Sequence, residues 1–164
     1  MKKEKVIHPL EVLKNKESKI LILGSFPSVK SREQNFFYMN KTNRFYKVLS
    51  VIFDEDFYTV SVKKKKELLL KYNIALYDVI KECEISNSSD SSISNVIPSD
   101  IQEIIKSTNV KTIFINGNKA YELFCKYNPS LISISIKLPS TSSANAKMKL
   151  DDLIDKWKII RSFL

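Results

Sequence analysis

Four stretches of the chain are long apolar runs: "KILILGS" (19–25), "IALYDVI" (74–80), "VKTIFING" (110–117) and "LISISIKLP" (131–139). They predict four strands. The first three are nearly continuous aliphatic and β-branched runs rather than alternations, the pattern of strands covered on both faces of a parallel sheet. Helical spacing fills the intervals. Phe45, Val48, Leu49, Ile52 and Phe53 recur at the period of one helix face. In "PSDIQEII", Ser99 followed three residues on by Gln102 predicts a capping box, with Ile101, Ile104 and Ile105 turned inward. "KAYELFCKY" places Ala120, Leu123, Phe124 and Tyr127 on one side. A last helix from Met148 carries Leu150, Leu153, Ile154, Trp157, Ile160 and Leu164 at helical spacing. Strands alternating with helices imply right-handed crossovers and an α/β fold: a three-layer α/β/α sandwich around a mostly parallel four-stranded sheet. The serine-rich stretch 84–100 reads as a flexible surface loop, and "VKKKKEL" (62–68) as a solvated helix start.

Length sets the scale: 164 residues, 43% of them hydrophobic, fit one domain over 1–164 with a sizeable core. Charge then adds a preference. With 27 Lys and Arg against 18 Asp and Glu, the net +9 favours a polyanionic partner without distinguishing nucleic acid from an anionic surface. Two isolated cysteines, Cys83 and Cys125, make neither a disulfide framework nor a thiolate metal site, and read as reduced structural thiols. The start "MKKEKVIHPLEV" lacks the apolar run of a signal peptide, and no segment has the ~20 apolar residues of a membrane span. A cytoplasmic protein with no membrane association is expected.

Ligands of open parallel sheets bind at the carboxyl ends of the strands. "GSFPSVKS", "NGNKA" and "LPSTSSANA" fall there. With only two glycines, Gly24 and Gly117, neither a dinucleotide-binding loop nor a phosphate loop can be drawn. The single histidine, His8, has no partner for a metal site or triad and reads as a capping or packing residue. No metal or other cofactor is expected. A serine nucleophile would need a nucleophile elbow and a downstream histidine, and both are missing. What remains suits a flat heterocycle: Phe26, Phe37 and Tyr38 to stack on it, Asn side chains and backbone amides to read its edge. For Phe37 and Tyr38, ordinary core or helix-entry packing is the reading that residue type alone favours.

Six short strings in order, "HPL", "LILGSFPSVKSR", "FYMNKTNRFYKVL", "ALYDVIKECE" with "SSDSSI", "INGNKA" and "LPSTSSANA", resemble the uracil-DNA glycosylase superfamily. Within it the chain is most similar to the hypoxanthine-DNA (deoxyinosine) glycosylases. The resemblance implies a monofunctional DNA glycosylase, acting as a monomer, that flips a deaminated base out of DNA and hydrolyses its N-glycosidic bond. Uracil or xanthine as the base, or an inactive DNA-binding module of the same fold, are the alternatives. It places catalysis on Asn43, the asparagine of the element "NRFY", whose carboxamide oxygen would orient the attacking water. The base pocket would comprise Gly24, Ser25, Phe26, Pro27, Tyr38, Asn40, Asp78 and Asn116. DNA contacts would come from Ser28, Lys30, Ser31, Arg32, Arg44 and Lys119, and from the loop residues Pro139, Ser140, Thr141, Ser142, Ser143 and Asn145. The family usually has His-Pro before this asparagine element and Trp after its Phe; here Asn40, Lys41 and Tyr46 stand in those places. Loss of the proline predicts a looser loop.

Overall fold

The computed structural model describes residues 2–164. In chain order its regular elements are β1 (Glu4–Ile7), β2 (Ile20–Gly24), α1 (Val29–Gln34), α2 (Phe45–Phe53), α3 (Val62–Lys71), β3 (Ile74–Asp78), β4 (Ile80–Ile85), β5 (Ser94–Pro98), α4 (Ile101–Lys106), β6 (Thr112–Asn116), α5 (Asn118–Tyr127), β7 (Ser135–Leu138) and α6 (Leu150–Trp157). The four predicted strands form one parallel sheet in the order β3-β2-β6-β7, with helices packed against it. Every residue of β2 and β3 is buried, as their unbroken apolar runs require. After β2 the chain pairs first with β3 on one side and later with β6 on the other. The carboxyl ends of β2 and β6 therefore flank a topological switch point, where open α/β sheets take their ligands.

Two strand boundaries differ from the sequence reading. The run 74–80 is divided: Val79 and Ile80 donate to the Gly24 and Ser25 carbonyls at 2.8 and 3.1 Å, and the chain turns into β4. The run 131–139 begins as a 3₁₀ turn, Pro129–Ile134, so β7 starts only at Ser135. The stretch read as a flexible loop, 84–100, instead supplies part of a second sheet. There β4 pairs antiparallel with β1 and β5 in the order β1-β4-β5, and a 3₁₀ turn at Asp90–Ser92 connects β4 to β5. β5 is short and largely exposed, and it follows a serine-rich turn, so no apolar run marks it.

The amphipathic face of α2 is buried as its spacing predicts: Phe45, Val48, Leu49, Ile52 and Phe53 all face the core. The cap of α4 lies one residue later than predicted. Asp100 accepts the Glu103 amide at 3.1 Å, while Ser99 turns its hydroxyl into the interior without a partner. In α3 the "KKKK" run is not uniformly solvated, because Lys65 folds inward to donate to the Tyr58 and Val60 carbonyls at 3.0 and 2.7 Å. Trp157 at the end of α6 is fully buried, meets Phe45 edge-on at 5.8 Å and donates its indole N–H to the Pro139 carbonyl at 2.9 Å. This ties the loop after β7 to the core.

Candidate active site

The carboxyl ends of β2, β3, β6 and β7 enclose a cleft of about 430 Å³, within the range of ligand pockets. All eight residues expected in a base pocket line it: Gly24, Ser25, Phe26, Pro27, Tyr38, Asn40, Asp78 and Asn116. Asn43 joins them from the turn entering α2.

Gly24 closes β2 against the cleft floor. A Cβ at this position would lie 2.6 Å from Asp78 Oδ1 and 3.2 Å from Tyr38 Oη, so any larger residue would displace both groups. Gly117, at φ +99°, would set a Cβ 3.0 Å from that of Ser140 and lies in the backbone region that only glycine enters freely.

Asp78 is held from behind by the histidine that looked unengaged in sequence. His8 Nδ1 accepts the Leu10 amide at 3.1 Å, so the proton sits on Nε2, which donates to Asp78 Oδ2 at 2.7 Å. Both side chains are almost wholly buried. His8 thus caps its local turn, as expected, and also orients a cleft carboxylate. Its ring is walled by Tyr77 at 4.5 Å and Phe26 at 5.7 Å.

Tyr38 adopts φ +57°, an uncommon conformation for an aromatic residue. One face of its ring stacks on Phe45 at 4.0 Å. Its hydroxyl is buried near Asp78 and Asn116 without reaching hydrogen-bond geometry with either. Burial first, then the adjacent Asp78 carboxylate, raise its pKa far above the usual phenol value, against a smaller opposing effect from Asn116. It therefore stays a neutral O–H.

Asn43 is embedded in a directed chain of hydrogen bonds. Thr141 N–H donates to Asn116 Oδ1 at 3.0 Å, Asn116 Nδ2 donates to Thr141 Oγ1 at 3.0 Å, and that hydroxyl donates to Asn43 Oδ1 at 2.9 Å. Phe45 N–H donates to the same oxygen at 2.9 Å. A carbonyl oxygen has two lone pairs, and both are taken. The oxygen expected to orient a water is engaged by two protein donors in this structure, and these bonds leave the amino group unused.

Asp90, on the 3₁₀ turn of the unforeseen sheet, also lines the cleft, and Ser25 Oγ donates to its Oδ1 at 2.9 Å. Although open to solvent at the mouth, the carboxyl is hemmed in by protein. That desolvation and, more weakly, Asp78 raise its pKa, opposed by the Ser25 bond and Lys119. Among the described residues there is no cluster of His, Cys, Asp and Glu that could hold a metal ion.

Several residues expected to contact DNA are engaged within the protein, although Ser28, Ser31 and Thr141 also line the cleft. Thr141 is completely buried and Ser31 nearly so. Ser31 accepts the Met39 amide at 3.1 Å, and Ser28 caps α1 through the Ser31 amide. The Arg44 side chain donates to the carbonyls of Thr141, Ser142, Asn145 and Met148, so it clamps the loop after β7 rather than extending from it. Arg32 braces the first turn by donating to the Pro27 and Asn87 carbonyls at 2.9 and 3.2 Å. Asn145 Nδ2 bonds the Ser140 carbonyl at 3.0 Å. Ser140, Ser142 and Ser143 line the cleft, and Ser143 is exposed at the loop tip. Lys30 is exposed, paired with Glu33 at 3.2 Å, and Lys119 is half-buried. The turn that lacks proline is closed by Asn40, whose Oδ1 accepts the Thr42 amide at 3.0 Å and its hydroxyl at 2.8 Å. Tyr46 fills the place of the family's Trp, buried and donating to the Phe37 carbonyl at 2.7 Å.

Fold and cleft together define an α/β protein of the base-binding type, with carboxylate, carboxamide, phenol and serine groups converging at the switch point of a parallel sheet. The model of the uracil DNA glycosylase superfamily matches residues 12–163, and the chain belongs to that superfamily. It is a DNA N-glycosylase, a hydrolase of N-glycosyl bonds. A hypoxanthine DNA glycosylase from Methanosarcina acetivorans is 31% identical over 137 residues, covering 81% of this chain and 84% of that protein. One from Methanosarcina barkeri is 29% identical over 138 residues with the same coverage. The solution NMR structure of a Methanosarcina acetivorans protein assigned as a uracil DNA glycosylase superposes with a TM-score of 0.80 at 27% identity, covering 95% of this chain and 97% of that one. No helix among the described residues is long and apolar enough to cross a membrane.

Proposed function

We propose that this glycosylase excises hypoxanthine from deoxyinosine in DNA and leaves an intact abasic site. The observation that carries the reading is the convergence of Asn43, Tyr38 and Asp78 on one cleft of base-holding size, whose rim is rich in serine, threonine and asparagine side chains. The names of the two Methanosarcina relatives support the choice of base. A duplex hides the glycosidic bond, so the nucleotide must rotate out at a cost of roughly a few kcal/mol, least for a mispaired base. In the cleft, the free face of Tyr38 stacks on the purine. Asp78 Oδ1 accepts the N1–H that hypoxanthine carries and adenine lacks, a difference that a buried acceptor discriminates strongly. The oxygen of water then bonds C1′, the C1′–N9 pair leaves with the base, and the water proton passes to the departing base or solvent. Backbone amides of the 24–28 turn face the developing charge. The Ser143 tip and its neighbours fill the gap left in the duplex, while Lys30 and Lys119 contact phosphate.

Labelled duplexes containing hypoxanthine, uracil or xanthine, incubated with the protein and then treated with alkali, test this. Alkali-dependent cleavage fastest at hypoxanthine is expected. Faster cleavage at uracil or xanthine would move the base assignment, breaks without alkali would exclude a monofunctional reaction, and salt-sensitive binding with no cleavage would overturn excision.

A further inference from the structure

We infer that Thr141 is a positioning residue for Asn43, and that it makes Asn43 a hydrogen-bond donor to the departing base. The inference rests on the reading that Asn43 is catalytic. Two backbone amides fix the direction of every bond in the chain. Phe45 N–H requires that Oδ1, not Nδ2, of Asn43 face the start of α2. Thr141 N–H likewise requires that Asn116 turn Oδ1 toward it, which leaves Asn116 Nδ2 to donate to the Thr141 hydroxyl. With its lone pair engaged there, that hydroxyl directs its single proton to Asn43 Oδ1, across 98 residues of sequence.

Flipping the Asn43 carboxamide would set its amino group against both the Phe45 amide and the Thr141 hydroxyl proton. The amino group is therefore presented to the cleft in one orientation. An N–H is wrong for a water that must attack through its oxygen lone pair, and right for a base that departs with an electron pair. Thr141 is fully buried, so its hydroxyl acts through the side chains it bonds, Asn43 on the donor side and Asn116 on the acceptor side.

The test uses the full chain, a hypoxanthine duplex under single-turnover conditions, and the affinity for an uncleaved duplex. Thr141→Val keeps the shape and removes the hydroxyl. It should slow cleavage on the order of 100-fold, the loss expected when a reacting group is misplaced by about an ångström, with DNA affinity unchanged within a few-fold. Thr141→Ser should restore the rate to within a few-fold of wild type. In the double variant Thr141→Val with Asn43→Ala, the rate should equal that of Asn43→Ala alone; multiplicative losses would overturn the positioning role. Asn43→Asp keeps an oxygen toward the cleft and removes the donor. It should be as inactive as Asn43→Ala, whereas retained activity would overturn the donor assignment. Independently of cleavage, the Asn43 side-chain amide signals in ¹⁵N NMR, identified by their loss in Asn43→Ala, should move in Thr141→Val and return in Thr141→Ser. Unmoved signals would overturn the inference. A full rate in Asn43→Ala would instead overturn the catalytic reading of Asn43, while an inactive Asn43→Ala beside a fully active Thr141→Val removes only the role of Thr141.

Discussion

His8 Nε2 donates to Asp78 Oδ2 at 2.7 Å, joining the segment before β2 to the end of β3 beneath the cleft. Replacing His8 with Phe should leave the Asp78 carboxylate buried without this donor and cost about 1.5–3 kcal/mol, the range for a hydrogen bond to a charged group. Combining His8→Phe with Asp78→Leu should recover part of that loss. Urea denaturation of the single and double variants measures the coupling. Losses that simply add would mean the pair is not coupled.

Gly24 meets Asp78 from the other side. Gly24→Ala places a methyl group 2.6 Å from Asp78 Oδ1. We expect destabilisation of about 1–3 kcal/mol, as in other overpacked sites, and a fall in excision rate on the order of 100-fold as the carboxylate shifts. Thermal melting and single-turnover cleavage read the two effects separately.

The buried Tyr38 hydroxyl has no hydrogen-bond partner in the free protein, an arrangement that costs about 1–3 kcal/mol. Tyr38→Phe should therefore raise the melting temperature, while Tyr38→Ala removes a stacking surface worth roughly 1–3 kcal/mol per base. If the hydroxyl serves substrate, Tyr38→Phe gains stability and loses excision rate together. A variant that gains stability at full rate would leave Tyr38 a stacking residue only.

Asp90 predicts a pH dependence of DNA affinity. Its pKa is already raised in the free protein, by desolvation and then by Asp78, and a bound duplex removes more water and adds phosphate charge. The complex then binds more protons than the free protein, so affinity should fall as pH rises from the raised value of the free protein through the still higher value of the complex. Asp90→Asn keeps an acceptor for Ser25 and should flatten that profile. Binding isotherms over the acid-to-neutral range decide it, and identical profiles would exclude Asp90 as their cause.

Arg44 and Lys119 should separate loop bracing from phosphate contact. Lys119→Ala is expected to reduce the slope of log affinity against log salt by about 0.9, the value for one lost phosphate contact. Arg44→Ala should leave that slope unchanged and lower the melting temperature, because its guanidinium is spent on four carbonyls. Arg44→Lys should not rescue it, since one ammonium cannot reproduce the planar fork.

The apolar runs of β2, β3 and β6 were legible because both faces of a parallel strand must be apolar, and α2 because its core face recurs at the helical period. The strand-end loops and Tyr38 were legible from the sheet pattern and residue chemistry, while Asn43 and Asp78 entered only through short strings shared with a family, which did not say how they meet. "HPL" and "SSDSSI" belonged to that resemblance, yet neither His8 nor Asp90 received a role in the cleft. Their partners, Asp78 and Ser25, lie 70 and 65 residues away, and local spacing carries no record of such contacts.

By itself, then, the sequence determined the four strands of the parallel sheet, its amphipathic helices and which polar loops share an edge of that sheet, because those follow from periodicity and burial along the chain. Only the tertiary structure decided what each polar atom is free to do. It turned the oxygen of Asn43 inward, sent Arg44 and Thr141 into the support of a loop, and aimed His8 at Asp78. Hydrogen-bond capacity is settled by whichever donors and acceptors the fold brings within about 3 Å, and those come from distant parts of the chain.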